Sequence, residues 1–171
     1  MRKIVAILAL IAILAIAPTN IASARSELEV TPDVVYGHKA GMALTYDVLA
    51  PTGKPNGAGV LFMVSGGWVS RWSPPESAKR YTGELLDSGF TVFLVRHGSS
   101  PQFKVPEAVA DVQKAVKHIY KNAADYKVDP DRLGVFGGSA GGHLSLMLGC
   151  ATGPVGEEPD ELGRAPCRER W

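Results

Sequence analysis

Leu133-Gly134-Val135-Phe136-Gly137-Gly138-Ser139-Ala140-Gly141-Gly142-His143-Leu144-Ser145-Leu146-Met147-Leu148 is the stretch on which the fold turns. It begins as a short apolar run, opened by Asp129-Pro130-Asp131-Arg132, and ends as a good helix sequence. Between the two lies G-x-S-x-G, placed where a strand runs into a helix. That context separates a nucleophile elbow from a chance match. A sharp strand-to-helix turn pushes one side chain into a strained, exposed position, and flanking glycines keep Cβ atoms out of the bend. The helix N-terminus behind it offers unpaired N–H groups and a positive dipole end. Ser139 held there can attack a carbonyl carbon, and the Ala140 N–H can hold the oxyanion that forms. The plainer alternative is a glycine-rich turn with a capping serine. Phosphate-loop readings fail on spelling: no Lys follows Gly142, and G-x-G-x-x-G cannot be fitted through Ser139.

Upstream, residues 59–64 are a continuous apolar run, as expected of a strand buried on both faces, and residues 90–95 read as a second buried strand. They run out at Ser65-Gly66-Gly67-Trp68 and at Arg96-His97-Gly98. A helix is expected near residues 76–88, with Leu85 and Leu86 inward and Gly89 ending it. A second opens at Pro106-Glu107 and continues to about Asn122. Its core stripe is read as Val109, Val112, Val116 and Ile119, with Lys114, Lys117 and Lys121 on a solvated face. Ahead of these lie two strands, Val34-Val35-Tyr36 and residues 43–49, joined by a turn at Gly37-His38-Lys39-Ala40-Gly41. Strands alternating with helices argue for an α/β fold, a mostly parallel sheet with helices on both faces. Ligands then sit beyond the carboxyl ends of the strands. Ser65–Trp68, His97–Ser99 and Ser139 all fall on that rim.

Composition narrows the function classes. The chain has 171 residues, a net charge of +1 and 46% apolar residues. No basic stripe suggests nucleic acid. Met1-Arg2-Lys3, the apolar run at residues 4–17 and Ala22-Ser23-Ala24 read as a signal peptide over residues 1–24. The expected location is secreted or periplasmic, with no membrane attachment after cleavage. An apolar run of 14 residues is short for a span, which needs about 20. Residues 25–161 read as a partial domain. Residues 162–171 lack an apolar period and resemble a translated sequencing adapter, so they are expected to be a non-native tail. Cys150 is read as a small buried residue at a helix end. Cys167 lies in the suspect tail, so two cysteines establish no disulfide. No Cys/His cluster has zinc spacing and no Asp-rich loop suggests calcium. Neither metal nor cofactor is expected.

Residues 129–143, with Asp111 and Ala115 in the preceding helix, make the chain resemble the α/β-hydrolase superfamily. Within it the likeness is to secreted esterases and lipases of the hormone-sensitive-lipase and feruloyl-esterase-like kind, over residues 34–149. The resemblance implies that Ser139 is the nucleophile and that Ala140 supplies one oxyanion donor. It also implies further donors from a Gly-Gly loop usually opened by His. Here that loop is Ser65-Gly66-Gly67-Trp68, with Gly67 and Trp68 as donors and Ser65 in place of the imidazole.

The triad order of this fold is Ser, then Asp or Glu, then His. After Ser139 the only histidine is His143, one helical turn on, and Asp160 lies beside the suspect tail. The triad Asp and His are therefore expected outside this chain, which reads as the N-terminal part of a longer enzyme. His97 is open to a substrate-side role on the rim. His118 reads as surface or half-buried, and His38 as a turn residue. The implied activity is hydrolysis of a small-molecule or carbohydrate ester through an acyl-enzyme. A serine peptidase of the same fold, or a non-catalytic binding protein on a hydrolase scaffold, remains open. Oligomeric state is not legible.

Overall fold

A computed structural model describes residues 28–51 and 54–151. The signal segment at 1–24, Asp160, Cys167 and the tail at 162–171 lie outside them. The elements run β1 (Leu28–Lys39), β2 (Met42–Pro51), β3 (Gly59–Met63), α1 (Lys79–Asp87), β4 (Thr91–Val95), α2 (Val105–Lys121), β5 (Leu133–Phe136) and α3 (Ala140–Ala151). The sheet order is β1-β2-β4-β3-β5. β3 pairs parallel to both β4 and β5, while β2 is antiparallel to β1 and to β4. Four of the five strands thus run one way, and β3, β4 and β5 end on one edge.

Alternation along the strands sorts side chains between two helical layers. Phe93, Val95, Leu61 and Met63 face α2 and α3, meeting Val112, Ala115, Ile119, Leu144 and Leu148. Val92, Leu94 and Leu49 face α1, packing with Leu86. Gly89 ends the α1 region at φ 86, a left-handed turn that glycine adopts without cost. Lys104 precedes α2, where the Glu107 carboxylate accepts its N–H at 3.0 Å.

Three expectations need correcting. The hairpin is tighter than read: residues 37–39 belong to β1, His38 pairs with Ala43, and the turn is Ala40-Gly41 alone. Both turn residues have positive φ (47 and 79), which suits the twist of a two-residue hairpin. The inner face of α2 is Ala108, Asp111, Val112, Ala115 and Ile119, with Val109 and Val116 flanking it. Two of these buried positions are small alanines, so apolar bulk misplaced the stripe by about one position. Cys150 is exposed rather than buried. It lies two residues past inward Leu148, about half a turn around the helix.

Candidate active site

The elbow has the backbone its sequence demands. Ser139 sits at φ 53 and is exposed, one residue before α3 begins. A left-handed conformation costs a non-glycine residue about 1–2 kcal/mol. Its neighbours explain how the bend is tolerated. A Cβ on Gly137 would lie 2.6 Å from the Gly141 carbonyl carbon, and one on Gly141 would lie 2.5 Å from the Met63 oxygen. The first contact closes the bend on itself; the second lets α3 press on the end of β3. Gly138 has open space around it. The His143 N–H bonds back to the Ser139 carbonyl at 3.0 Å, starting the helix.

Facing the elbow, Ser65-Gly66-Gly67-Trp68 leaves β3 and closes a tight turn. The N–H of Gly66 and the carbonyl of Val69 bond at 3.0 Å, and the reverse pair matches at 3.0 Å. The central residues Gly67 (φ 57) and Trp68 (φ 65) are both left-handed. Trp68 has no glycine's freedom, and strain of this kind concentrates at functional sites. Among the described residues, no carbonyl takes up the Gly67, Trp68 or Ala140 N–H. The Trp68 ring meets His143 edge-to-face, centroids 5.3 Å apart, so the two loops touch. The structure therefore brings Gly67, Trp68, Ser139 and Ala140 to one rim.

Beneath the turn lies a layer of polar contacts that sequence reading missed. Ser70 Oγ donates to the Val64 carbonyl at 2.6 Å and accepts the His97 N–H at 3.3 Å. Ser99 Oγ accepts the Ser70 N–H at 2.9 Å and donates to the Ser70 carbonyl at 3.1 Å. The Ser100 N–H reaches the Trp68 carbonyl at 2.9 Å. His97 is 5% exposed, so it does not face the rim as a substrate-side residue. Its Nε2 lies 2.8 Å from Ser65 Oγ.

The end of β4 is anchored from the opposite side. Asp111, 1% exposed, accepts the Gly98 N–H at 3.0 Å and pairs with Lys39 at 2.9 Å. Arg96 pairs with buried Asp47 and with Asp33. Tyr36 donates its hydroxyl to the Arg96 carbonyl. Burial, then the Asp111 charge, raises that phenol well above its usual range, keeping the donor protonated. The other histidines are placed elsewhere: His118 Nδ1 lies 3.0 Å from the Tyr46 hydroxyl, half-buried as read. Among the described residues, no three His, Cys, Asp or Glu side chains gather as metal ligands, and no helix is long and apolar enough to cross a membrane.

The BD-FAE family profile matches residues 46–159, which include both loops and the elbow. Esterase LipQ of Mycobacterium tuberculosis is 28% identical over 154 residues, 81% of this chain and 36% of that protein. LipM of the same organism, a probable carboxylic ester hydrolase, is 32% identical over 90 residues, 53% of this chain and 21% of that one. Among solved structures, a truncated carbohydrate esterase from gut microbiota superposes with a TM-score of 0.64 at 26% identity, covering 77% of this chain and 46% of its own. EstE1, a thermostable carboxylesterase from a metagenomic library, gives 0.61 at 29% identity, with coverage of 75% and 43%. The chain spans less than half the length of each of these four proteins.

Proposed function

Because the chain belongs to the BD-FAE family and has the α/β-hydrolase sheet, we propose that it carries the nucleophile and oxyanion-binding half of a secreted serine hydrolase of carboxylic esters. The observation that supports this best is Ser139 itself: exposed, left-handed, and set between Gly137 and Gly141, neither of which admits a Cβ. In this reading Ser139 Oγ attacks the acyl carbon while its proton passes to a histidine base. The N–H groups of Gly67, Trp68 and Ala140 bind the oxygen that becomes negative. The intermediate collapses with protonation of the departing alkoxide, and water then hydrolyses the acyl-enzyme.

Among the described residues the histidines have other employment. His97 is bound to Ser65, His118 to Tyr46, His143 packs on Trp68, and His38 stands opposite Ala43 in the β1–β2 hairpin. The base and its acid partner are accordingly assigned to sequence outside the described residues, in line with the longer esterases that the chain matches. Small-molecule and carbohydrate esters both suit the reading, the latter through the gut carbohydrate esterase. The test is the complete gene product assayed on p-nitrophenyl acetate and on an aminoacyl anilide. Ester cleavage that Ser139→Ala abolishes is expected. Anilide cleavage without ester cleavage would make the protein a peptidase, and a folded protein inert to both would make it a binder.

A further inference from the structure

We propose that Ser65 and His97 form a positioning pair that sets the near end of the Gly66–Val69 turn, and with it the aim of the Gly67 and Trp68 N–H groups. His97 Nδ1 lies 2.8 Å from the Gly98 carbonyl. A carbonyl only accepts, so Nδ1 carries the proton. Nε2 of the neutral ring is then an acceptor, and Ser65, 2.8 Å away, donates its hydroxyl to it. The ring is 5% exposed, so water is a poor substitute for either partner. Desolvation holds the imidazole below its ordinary pKa of 6.5, opposed by the Gly98 carbonyl and the Asp111 charge and aided by Lys39. Those groups face it from β1, α2 and its own loop.

The position of Ser65 gives the contact its consequence. Ser99 and Ser100, through Ser70 and Trp68, fix the far side of the turn to the loop after β4, while Ser70 Oγ also holds the Val64 carbonyl just past β3. Ser65 directly precedes Gly66, and among the described residues its side chain is tied to that loop through His97 alone. Freed of it, the turn can pivot about its far side. The inference rests on the proposed oxyanion role of that turn. Donors that act on developing charge raise kcat more than they tighten substrate binding. Sub-ångström misplacement of such groups is costly, up to about 100-fold for 1 Å.

The test uses the complete gene product on p-nitrophenyl acetate, normalised by active-site titration of Ser139. Ser65→Ala and His97→Gln should each lower kcat by about 10- to 100-fold with KM nearly unchanged. Ser65→Thr, which keeps the hydroxyl, should recover most of the rate. The double variant should be no slower than the worse single one, as for two halves of one contact. A measurement independent of turnover is the nitrogen spectrum of 15N-histidine-labelled protein. At neutral pH His97 Nε2 should be unprotonated, and its resonance should move in Ser65→Ala. An active wild type whose kcat survives Ser65→Ala overturns the pair alone, as do multiplicative losses or a protonated Nε2. A wild type inert to esters overturns the proposed function first, and the catalytic purpose of the pair with it.

Discussion

β4 and β5 are parallel strands on either side of β3, yet they live in different environments. All five residues of β4 are buried, with β2 on one edge and β3 on the other. All four residues of β5 are only half-buried, and among the described residues β5 bonds to β3 alone. The β4 flank is further tied down by Arg96, Asp47, Asp111 and Lys39. The β5 flank carries the elbow, where Phe136 runs directly into the strained bend. One flank is interior sheet, paired on both sides; the other carries the proposed nucleophile and, among the described residues, is paired on one side only.

That contrast has measurable consequences. The largest concerns solution behaviour, since an unpaired strand edge is a template for another chain. The 171-residue chain should self-associate in a concentration series followed by sedimentation velocity. A monodisperse monomer with cooperative unfolding would break the comparison at its root. Next comes Phe93→Ala, at a fully buried site, which should cost about 3–5 kcal/mol in urea unfolding. Phe136→Ala, at a half-buried site against Phe62, should cost only about 1 kcal/mol. Equal losses would mean that the two flanks are equally packed.

Within the elbow, Gly141→Ala should cost about 1–3 kcal/mol, because its Cβ would strike the Met63 carbonyl. Gly138→Ala should stay within about 0.5 kcal/mol, since nothing lies within 4 Å and the site is exposed. The smallest effect lies at the seam between the flanks. His97 has a folded-state pKa below its unfolded value of 6.5, owing first to desolvation. The unfolded chain therefore takes up the proton first as pH falls. His97 thus contributes full stability above the unfolded value, and part of it is lost as pH drops toward the lower folded value. Urea midpoints should fall over that range in the wild type and fall less in His97→Gln. Parallel slopes would remove His97 as a titrating contributor.

The parts of the molecule legible in the sequence are those written in local pattern. Residues 90–95 announced a buried strand, and 59–64 a strand of which one face is buried while Val60 and Phe62 on the other stay half-buried; Gly137 and Gly141 announced a bend too crowded for Cβ atoms. The hairpin was harder, because Gly37-His38-Lys39 has no strand character of its own and is held in β1 by pairing with β2. The stripe on α2 slipped because its buried face includes Ala108 and Ala115, which carry little apolar signal. Ser65 and His97 lie 32 positions apart on separate loops, so no spacing rule joins them. A serine where a histidine usually opens such a loop, with a histidine ending the next strand, was the available hint.

Whether Ser139 is the nucleophile is decided by fluorophosphonate labelling of the complete gene product, with the adduct located by peptide mass spectrometry. Stoichiometric modification is expected on the peptide containing Ser139 and none in Ser139→Ala, with the fold intact in both. Labelling of a different serine, or no labelling of the folded protein, would contradict it.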